Sequence, residues 1–111
     1  MSFPIDSVQH YFDSLGDRFV ASASDGVDAT FQFTLEGDGG GTWHVVVKDG
    51  GMAVNEGASD APDSTIEARS GDWVKIVNGK MSGMRAVMTR KMKVGGNVTL
   101  ARKMQQMFPT A

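Results

Sequence analysis

Two histidines, His10 and His44, are the first candidates for acid–base or metal chemistry in this 111-residue chain, because histidine titrates near neutral pH. A metal site needs several ligands, and the sequence has no cysteine to add to two histidines on separate elements. A serine nucleophile would need a Gly-x-Ser-x-Gly elbow, which the sequence lacks. The pattern therefore predicts no catalytic residue, no metal and no cofactor.

The other candidates for chemistry have simpler structural interpretations. Asp13 and Asp17 are four residues apart on the polar face of a predicted helix, which is typical of a solvated surface rather than of an acid–base pair. The glycine-rich run 37–41 lies between two predicted strands, whereas a phosphate-binding loop leads from a strand into a helix. It therefore predicts a hairpin loop. We expect a protein that is not an enzyme.

Charge is divided sharply along the chain. Residues 1–72 carry all 13 acidic side chains and three basic ones, a net charge of −10, whereas residues 73–111 carry eight basic side chains and no acidic one. Such a segment favours transient contact with an anionic membrane surface, unless the two halves pack together and offset each other's charge. Its aromatic residues, Trp73 and Phe108, are too few to stack on nucleic acid, so we expect no nucleic-acid partner.

Methionine is enriched in the second half of the chain. Six of the eight methionines lie between residues 81 and 107. The methionine side chain is flexible and polarisable and adapts to variable apolar partners, although it also serves as ordinary core filler. Because a well-specified core usually prefers side chains with fewer rotamers, the enrichment favours an adaptable apolar cavity.

Hydrophobic periodicity predicts the elements that position these residues. Apolar residues from Ile5 to Phe19 recur every three or four positions, which indicates one amphipathic helix capped by Asp6 or Ser7. Asp49-Gly50-Gly51 predicts a tight hairpin. Alternation of apolar and polar residues predicts strands at 30–35, 43–48, 52–55, 65–68 and 91–94, and capping residues Ser70, Ser82 and Asn97 predict three further helices. This order indicates an α+β fold.

Several short motifs follow one another along most of the chain. They are Phe31-Gln32-Phe33, Gly41-Thr42-Trp43-His44-Val45, Lys48-Asp49-Gly50, Asp63-Ser64-Thr65-Ile66, Gly71-Asp72-Trp73-Val74-Lys75-Ile76, Asn78-Gly79-Lys80-Met81, Ala86-Val87-Met88-Thr89, Lys91-Met92-Lys93-Val94 and Gly96-Asn97-Val98-Thr99-Leu100-Ala101-Arg102-Lys103-Met104. In their order and spacing these motifs resemble those of the sterol carrier protein 2 family over roughly residues 8–108. Arg90 stands where the family commonly has a glycine, and Asn97 where it commonly has an aspartate.

The resemblance implies a five-stranded, largely antiparallel sheet with helices packed on one face and an apolar tunnel between them, in a single domain over residues 1–111. Members of the family bind fatty acids, fatty acyl-CoA, phospholipids or sterols and transfer them. The alternative is an accessory domain that presents an apolar substrate to a partner enzyme. The candidate ligand-binding residues are Phe31, Phe33, Ile76, Val77, Met81, Met84, Met88, Leu100, Met104, Met107 and Phe108.

The ends of the chain and its apolar runs bear on location. Residues 1–6 lack the basic and apolar regions of a signal peptide, and no apolar run approaches the roughly 18 residues of a membrane-spanning helix. The terminal residues Phe108-Pro109-Thr110-Ala111 do not form a peroxisomal targeting tripeptide. We therefore expect a cytoplasmic protein. The sequence leaves the oligomeric state and the identity of the lipid open.

Overall fold

The computed structural model describes residues 4–110, with a five-stranded sheet at its centre. The strands are β1 (Ala29–Glu36), β2 (Gly41–Lys48), β3 (Gly51–Glu56), β4 (Ser64–Arg69) and β5 (Met92–Gly96). Their order across the sheet is β3-β2-β1-β4-β5. β1 and β4 run parallel, and the other three neighbouring pairs run antiparallel. The predicted α+β fold with a largely antiparallel sheet is confirmed.

The helices cover one face of this sheet. They are α1 (Val8–Asp13), α2 (Leu15–Arg18), a 3₁₀ helix (Ala21–Ser24), α3 (Ser70–Val77), α4 (Gly83–Met88) and α5 (Val98–Met107). In β1, β2 and β4 alternate side chains are buried beneath the helices, whereas those between them are half-buried or exposed. The longest helix of residues 4–110, α5, has ten residues, and no helix there is long and apolar enough to cross a bilayer.

The N-terminal helix is broken at Ser14, so the prediction of one helix from Ile5 to Phe19 is wrong. In a continuous helix the Tyr11 carbonyl would accept the N–H of Leu15. Instead, the Arg18 guanidinium Nη2 donates to that carbonyl at 2.7 Å, and the Ser14 hydroxyl donates to the His10 carbonyl at 2.7 Å. The His10 carbonyl also keeps the backbone N–H of Ser14 at 3.1 Å, whereas at Tyr11 a side chain replaces the backbone donor, and this is where α1 ends and α2 starts.

Ser7, Ser82 and Asn97 cap helices as predicted, whereas Ser70 does not. Ser7 caps α1 by accepting the His10 N–H at 3.1 Å, and Asn97 caps α5 by accepting the Leu100 N–H at 3.1 Å. Ser82 accepts the Arg85 N–H at 3.3 Å at the start of α4. The predicted cap at Ser70 is wrong, because this residue is the first of α3 and its hydroxyl donates to the Asp38 carbonyl at 2.8 Å. A tertiary contact has replaced the local one.

A long connection from β3 to β4 explains the parallel pair in the sheet. β3 lies at one edge and β4 lies beyond β1, so residues 57–63 must pass β2 and β1. The Gly57 carbonyl lies 2.9 Å from His44 Nδ1, and the Ser59 N–H donates to Gln32 Oε1 at 2.9 Å. His44 and Gln32 are direct cross-strand partners on the face away from the helices. Polar side chains of this face thus hold the connection in place.

Candidate functional site

The main candidate site is the apolar layer between the covered face of the sheet and the helices. Phe31, Val45 and Val47 supply fully buried side chains from the sheet. Apart from aromatic residues, the buried polar side chains of residues 4–110 are three serines, whose hydroxyls donate to backbone carbonyls. Among these described residues no Asp, Glu or Lys is buried in the layer, whereas the Arg18 guanidinium lies against the buried Tyr11 ring with its Nε and Nη1 atoms buried. The layer is therefore chemically suited to hydrocarbon rather than to polar or ionic substrates.

Nine of the eleven sequence-predicted site residues come together in or against this layer. Met81 and Leu100 are half-buried and pack against the buried core. The seven that are themselves buried in the core are Phe31, Phe33, Ile76, Val77, Met104, Met107 and Phe108. They come from β1, α3, α5 and the residue that follows α5, so the sheet and two helices meet at this site.

Met84 and Met88 lie apart from this group, on the outer face of α4. Ala86 is the buried residue of this helix, and a Cβ placed on Gly83 would lie 3.7 Å from the Met92 side chain. The face of α4 that carries residues 83 and 86 therefore packs inward. Because Met84 and Met88 project from the opposite side of the helical turn, their side chains are 75% and 77% exposed.

Helix α5 covers one side of the apolar layer. Met104 and Met107 face inward, whereas Arg102 and Lys103 are exposed. α5 packs against β4, β5 and the 3₁₀ helix. Past its C-terminal end, the Phe108 ring lies 5.3 Å from the Phe19 ring, and the Met107 carbonyl accepts the Val20 N–H at 2.8 Å. Thus one helix carries two buried methionines, a basic outer face and a contact with the chain that follows α2.

A second group of buried side chains forms an aromatic cluster that the sequence analysis did not predict. The Phe12 ring stacks on Trp43 at a centroid distance of 4.7 Å and meets Phe33 edge-on at 5.3 Å. Trp73 lies 5.4 Å from Tyr11 and 5.5 Å from Phe33. These five residues come from α1, β1, β2 and α3, so no spacing within one element could indicate that they meet.

The polar groups of this cluster are two indole N–H groups and the Tyr11 hydroxyl, with the Arg18 guanidinium beside them. The indole N–H groups of Trp43 and Trp73 are buried and have no hydrogen-bond partner within residues 4–110. The Arg18 guanidinium carbon lies 4.5 Å from the centre of the Tyr11 ring. Burial raises the pKa of the Tyr11 hydroxyl to about 12, although the charge of Arg18 and its hydrogen bond to this side chain lower it. A ligand oxygen could therefore accept a hydrogen bond from either indole N–H.

The histidines have local partners rather than a catalytic arrangement. His10 Nδ1 accepts the Asp6 N–H at 3.0 Å and lies 3.7 Å from the Asp6 carboxylate. His44 Nδ1 is bonded to the Gly57 carbonyl, so this ring nitrogen carries the proton. Residues 4–110 contain no cluster of three His, Asp or Glu side chains placed to hold a metal ion.

Comparison with known proteins identifies similar sequences and folds. The model of the SCP-2 sterol transfer family matches residues 12–109. Hydroxysteroid dehydrogenase-like protein 2 from Mus musculus is 36% identical over 97 residues, which cover 86% of this chain and 19% of that protein. This chain thus spans about a fifth of the length of such relatives.

Two solved structures show the same fold. A palmitated SCP2L2 from Aedes aegypti has a TM-score of 0.70 at 22% identity, with 94% of this chain and 96% of that chain covered. A double mutant of the sec-alkyl sulfatase PisA1, an enzyme of Pseudomonas sp., has a TM-score of 0.84 at 16% identity. That match covers 97% of this chain but 17% of the sulfatase chain. The fold therefore occurs both alone and within a longer enzyme chain.

Proposed function

This chain belongs to the SCP-2 sterol transfer family, and on that premise we propose that it binds the apolar part of a lipid between the sheet and the helices and transfers it. The cargo is a fatty acid, a fatty acyl-CoA, a phospholipid or a sterol. The palmitate of the Aedes aegypti neighbour agrees with an acyl chain as one such cargo. Binding needs no catalytic side chain, so we propose a carrier rather than an enzyme.

The observation that carries this proposal is the apolar layer beneath α5. A chain of ~16 carbons gains on the order of 12 kcal/mol on leaving water, at ~0.8 kcal/mol per CH₂. A bilayer and an apolar pocket offer nearly the same gain, so exchange between them is close to thermoneutral. The protein would then lower the barrier of crossing water. A buried layer formed almost entirely by apolar side chains, without a buried carboxylate or lysine among the described residues, is the environment that such a cargo requires.

The proposed pocket lies between β1, β4, α3 and α5. Met104 and Met107 are its adaptable wall, because methionine changes rotamer at little cost and fills the space when no cargo is bound. The indole N–H of Trp73, from α3, is the donor that we propose for a carbonyl or carboxylate oxygen of the cargo. Met84 and Met88 are left out of this pocket because they are exposed on α4.

A tryptophan in place of Met107 tests whether cargo occupies this layer. Met107 is fully buried, so the larger indole of Met107→Trp would take the space of part of the cargo. Displacing two methylene groups at ~0.8 kcal/mol each lowers the affinity about tenfold. The measurement is a titration with a fluorescent fatty acid in the absence of vesicles. Met84→Trp, the same change at an exposed methionine, serves as the control and should keep the wild-type affinity.

Both the binding and the fold of the variants are measured, since overpacking a solid core destabilises a protein by about 1–3 kcal/mol. Met104→Trp repeats the test at a second buried methionine in case Met107→Trp does not fold. Wild-type protein that binds no fatty acid would contradict the proposal. Folded Met107→Trp and Met104→Trp variants that both keep the wild-type affinity would contradict the position of the pocket.

The alternative function, an accessory domain that presents an apolar substrate to a partner enzyme, is favoured by the lengths of the relatives. Both the dehydrogenase-like proteins and the sulfatase are several times longer than the region that they share with this chain. In that case an enzyme that copurifies with this chain would need the chain to turn over its apolar substrate. The wild type should then support turnover, whereas Met107→Trp should not.

A further inference from the structure

We propose that the outer face of α4 is a docking surface for a bilayer that contains anionic lipids. The inference rests on the proposed function, because a bilayer would then be the source or the destination of the cargo. It adds the part of the molecule that meets the bilayer and the lipid charge that is recognised. We call this face the α4 patch and define it as Met84, Val87 and Met88 together with Arg85, Arg90 and Lys91.

The apolar part of the patch is exposed to an unusual degree. Met84 and Met88 are 75% and 77% exposed, and Val87 is 42% exposed. These three residues make up more than half of the large hydrophobic side chains that are exposed within residues 4–110, and they lie within two turns of one helix. Scattered exposed hydrophobic residues are ordinary, but a contiguous group marks an interaction surface.

The helix and the turn that follows it carry cations without an acidic partner among the described residues. Arg85, Arg90 and Lys91 are all exposed. Within residues 4–110 no carboxylate forms an ion pair with any of these three side chains. α4 packs against β5, which belongs to residues 73–111, the segment without a single acidic side chain. The patch is therefore both apolar and positively charged.

Arg90 has a backbone conformation that glycine usually adopts. Its φ of 62° is left-handed, and its N–H donates to the Val87 carbonyl at 3.1 Å while the Lys91 N–H donates to the Ala86 carbonyl at 2.7 Å. This hydrogen-bond pattern ends α4 as a Schellman motif, in which glycine avoids the strain of a side chain. A strained, exposed arginine beside Met88 is explained if its charge has a function.

The combination fits a bilayer better than other partners. Apolar side chains of a surface helix enter the boundary between headgroups and acyl chains, while the stems of Arg and Lys let their charges reach the phosphates. A second copy of this chain would place like charges opposite each other, so the charge of the patch opposes self-association. Anionic headgroups complement that charge.

Co-sedimentation with vesicles tests the inference. The full chain should bind phosphatidylcholine–phosphatidylglycerol vesicles and should bind phosphatidylcholine vesicles weakly, and added salt should release it. In the Arg85→Gln/Lys91→Gln variant, the partition coefficient should fall about fivefold for each cation removed. Lys48→Gln removes an exposed cation from β2, which is separated by β1 and β4 from the strand against which α4 packs, and should bind like the wild type. Met84→Gln/Met88→Gln should lose binding while keeping its helix content.

Arg90→Gly separates a role in docking from a role in the fold. Glycine relieves the left-handed strain, so this variant should resist urea better than the wild type while it binds anionic vesicles less well. Equal binding to neutral and anionic vesicles would overturn the inference, and so would vesicle binding that the patch variants leave unchanged. Self-association that the methionine variant abolishes would assign the patch to a second copy instead.

The cargo assay keeps the two proposals distinguishable. Fatty-acid affinity measured without vesicles should be the same for the patch variants and the wild type, because the patch lies outside the buried layer. If the chain binds anionic vesicles through the patch but binds no fatty acid, the proposed function fails and docking stands. If it binds fatty acid but no anionic vesicle, the docking surface fails and the proposed function stands.

Discussion

At the scale of single residues, Tyr11 shows how burial and charge compete. Burial raises the pKa of its hydroxyl from 10.0 to about 12, although Arg18 lowers it. The folded protein therefore keeps the hydroxyl proton at pH values where the unfolded chain has released it. The resulting stability is fully present below pH 10 and is lost as the pH rises through about 12.

We expect the free energy of unfolding to fall by about 2–3 kcal/mol over this alkaline range because of Tyr11. The measurement is the urea midpoint as a function of pH, followed by circular dichroism. Tyr11→Phe keeps the aromatic contacts and lacks the hydroxyl, so this part of the decline should disappear. The lysines titrate in both proteins and cancel in the comparison. Parallel curves for the two proteins would contradict the assigned role of the hydroxyl.

At the scale of elements, Asn78 fastens the start of the described chain to the end of α3. The Ile5 N–H donates to Asn78 Oδ1 at 2.6 Å, and Asn78 Nδ2 donates to the Ile5 carbonyl at 2.8 Å. Ile5 is buried in the core, so the paired hydrogen bonds fix an apolar anchor 73 residues away in sequence. One side chain thus couples the segment before α1 to the helix that covers β1 and β4.

Asn78→Ala should destabilise the protein by about 1–3 kcal/mol, since it removes two hydrogen bonds and leaves backbone groups of a buried residue unpaired. Urea unfolding measures the loss, and hydrogen exchange of the Ile5 amide shows where it arises. Asn55→Ala, at an exposed position of β3, is the matched control and should change stability little. Faster exchange at Ile5 in both variants would count against this specific link.

Most elements were predictable because their signals are local. Alternation of apolar and polar residues fixed the strands, and the left-handed φ angles of Asp49 and Gly50, 54° and 77°, match the predicted tight hairpin. The break at Ser14 was not predictable, because it depends on a guanidinium that reaches back to the Tyr11 carbonyl. The capping role expected of Ser70 was replaced by a bond to a carbonyl in the β1–β2 hairpin, 32 residues away.

The candidate site, like the elements, was predictable from the sequence where the signal lies within one element. The residues of β1, α3 and α5 were identified because each lies on the apolar face of its own element. Met84 and Met88 share a face of α4, but periodicity alone does not say which face meets the core. Packing through Ala86 settles that orientation, and the aromatic cluster around Phe12 likewise depends on contacts between elements.

At the scale of the whole molecule, the acidic and basic halves of the chain can offset each other's charge only over short distances. The molecule measures 32 × 30 × 24 Å, whereas charges are screened over roughly 8–10 Å at physiological ionic strength. Neutralisation between the halves is therefore limited to close neighbours such as Glu67 and Lys93, which lie opposite each other across β4 and β5. The cations Arg85, Arg90 and Lys91 stay available to an external anion.

Cargo inside the apolar layer should stabilise the whole molecule, because a ligand that binds the folded state alone shifts the unfolding equilibrium. At a free fatty-acid concentration of 100 times Kd the gain is about 2.7 kcal/mol. For a domain of this size it corresponds to a rise in Tm of about 10 °C. Differential scanning calorimetry measures the rise, with the fatty acid kept below its micelle concentration. Met107→Trp, with its tenfold lower expected affinity, should show about half the rise of Met84→Trp at the same fatty-acid concentration. A saturating fatty acid that leaves the wild-type Tm unchanged would mean that any binding occurs outside the folded interior.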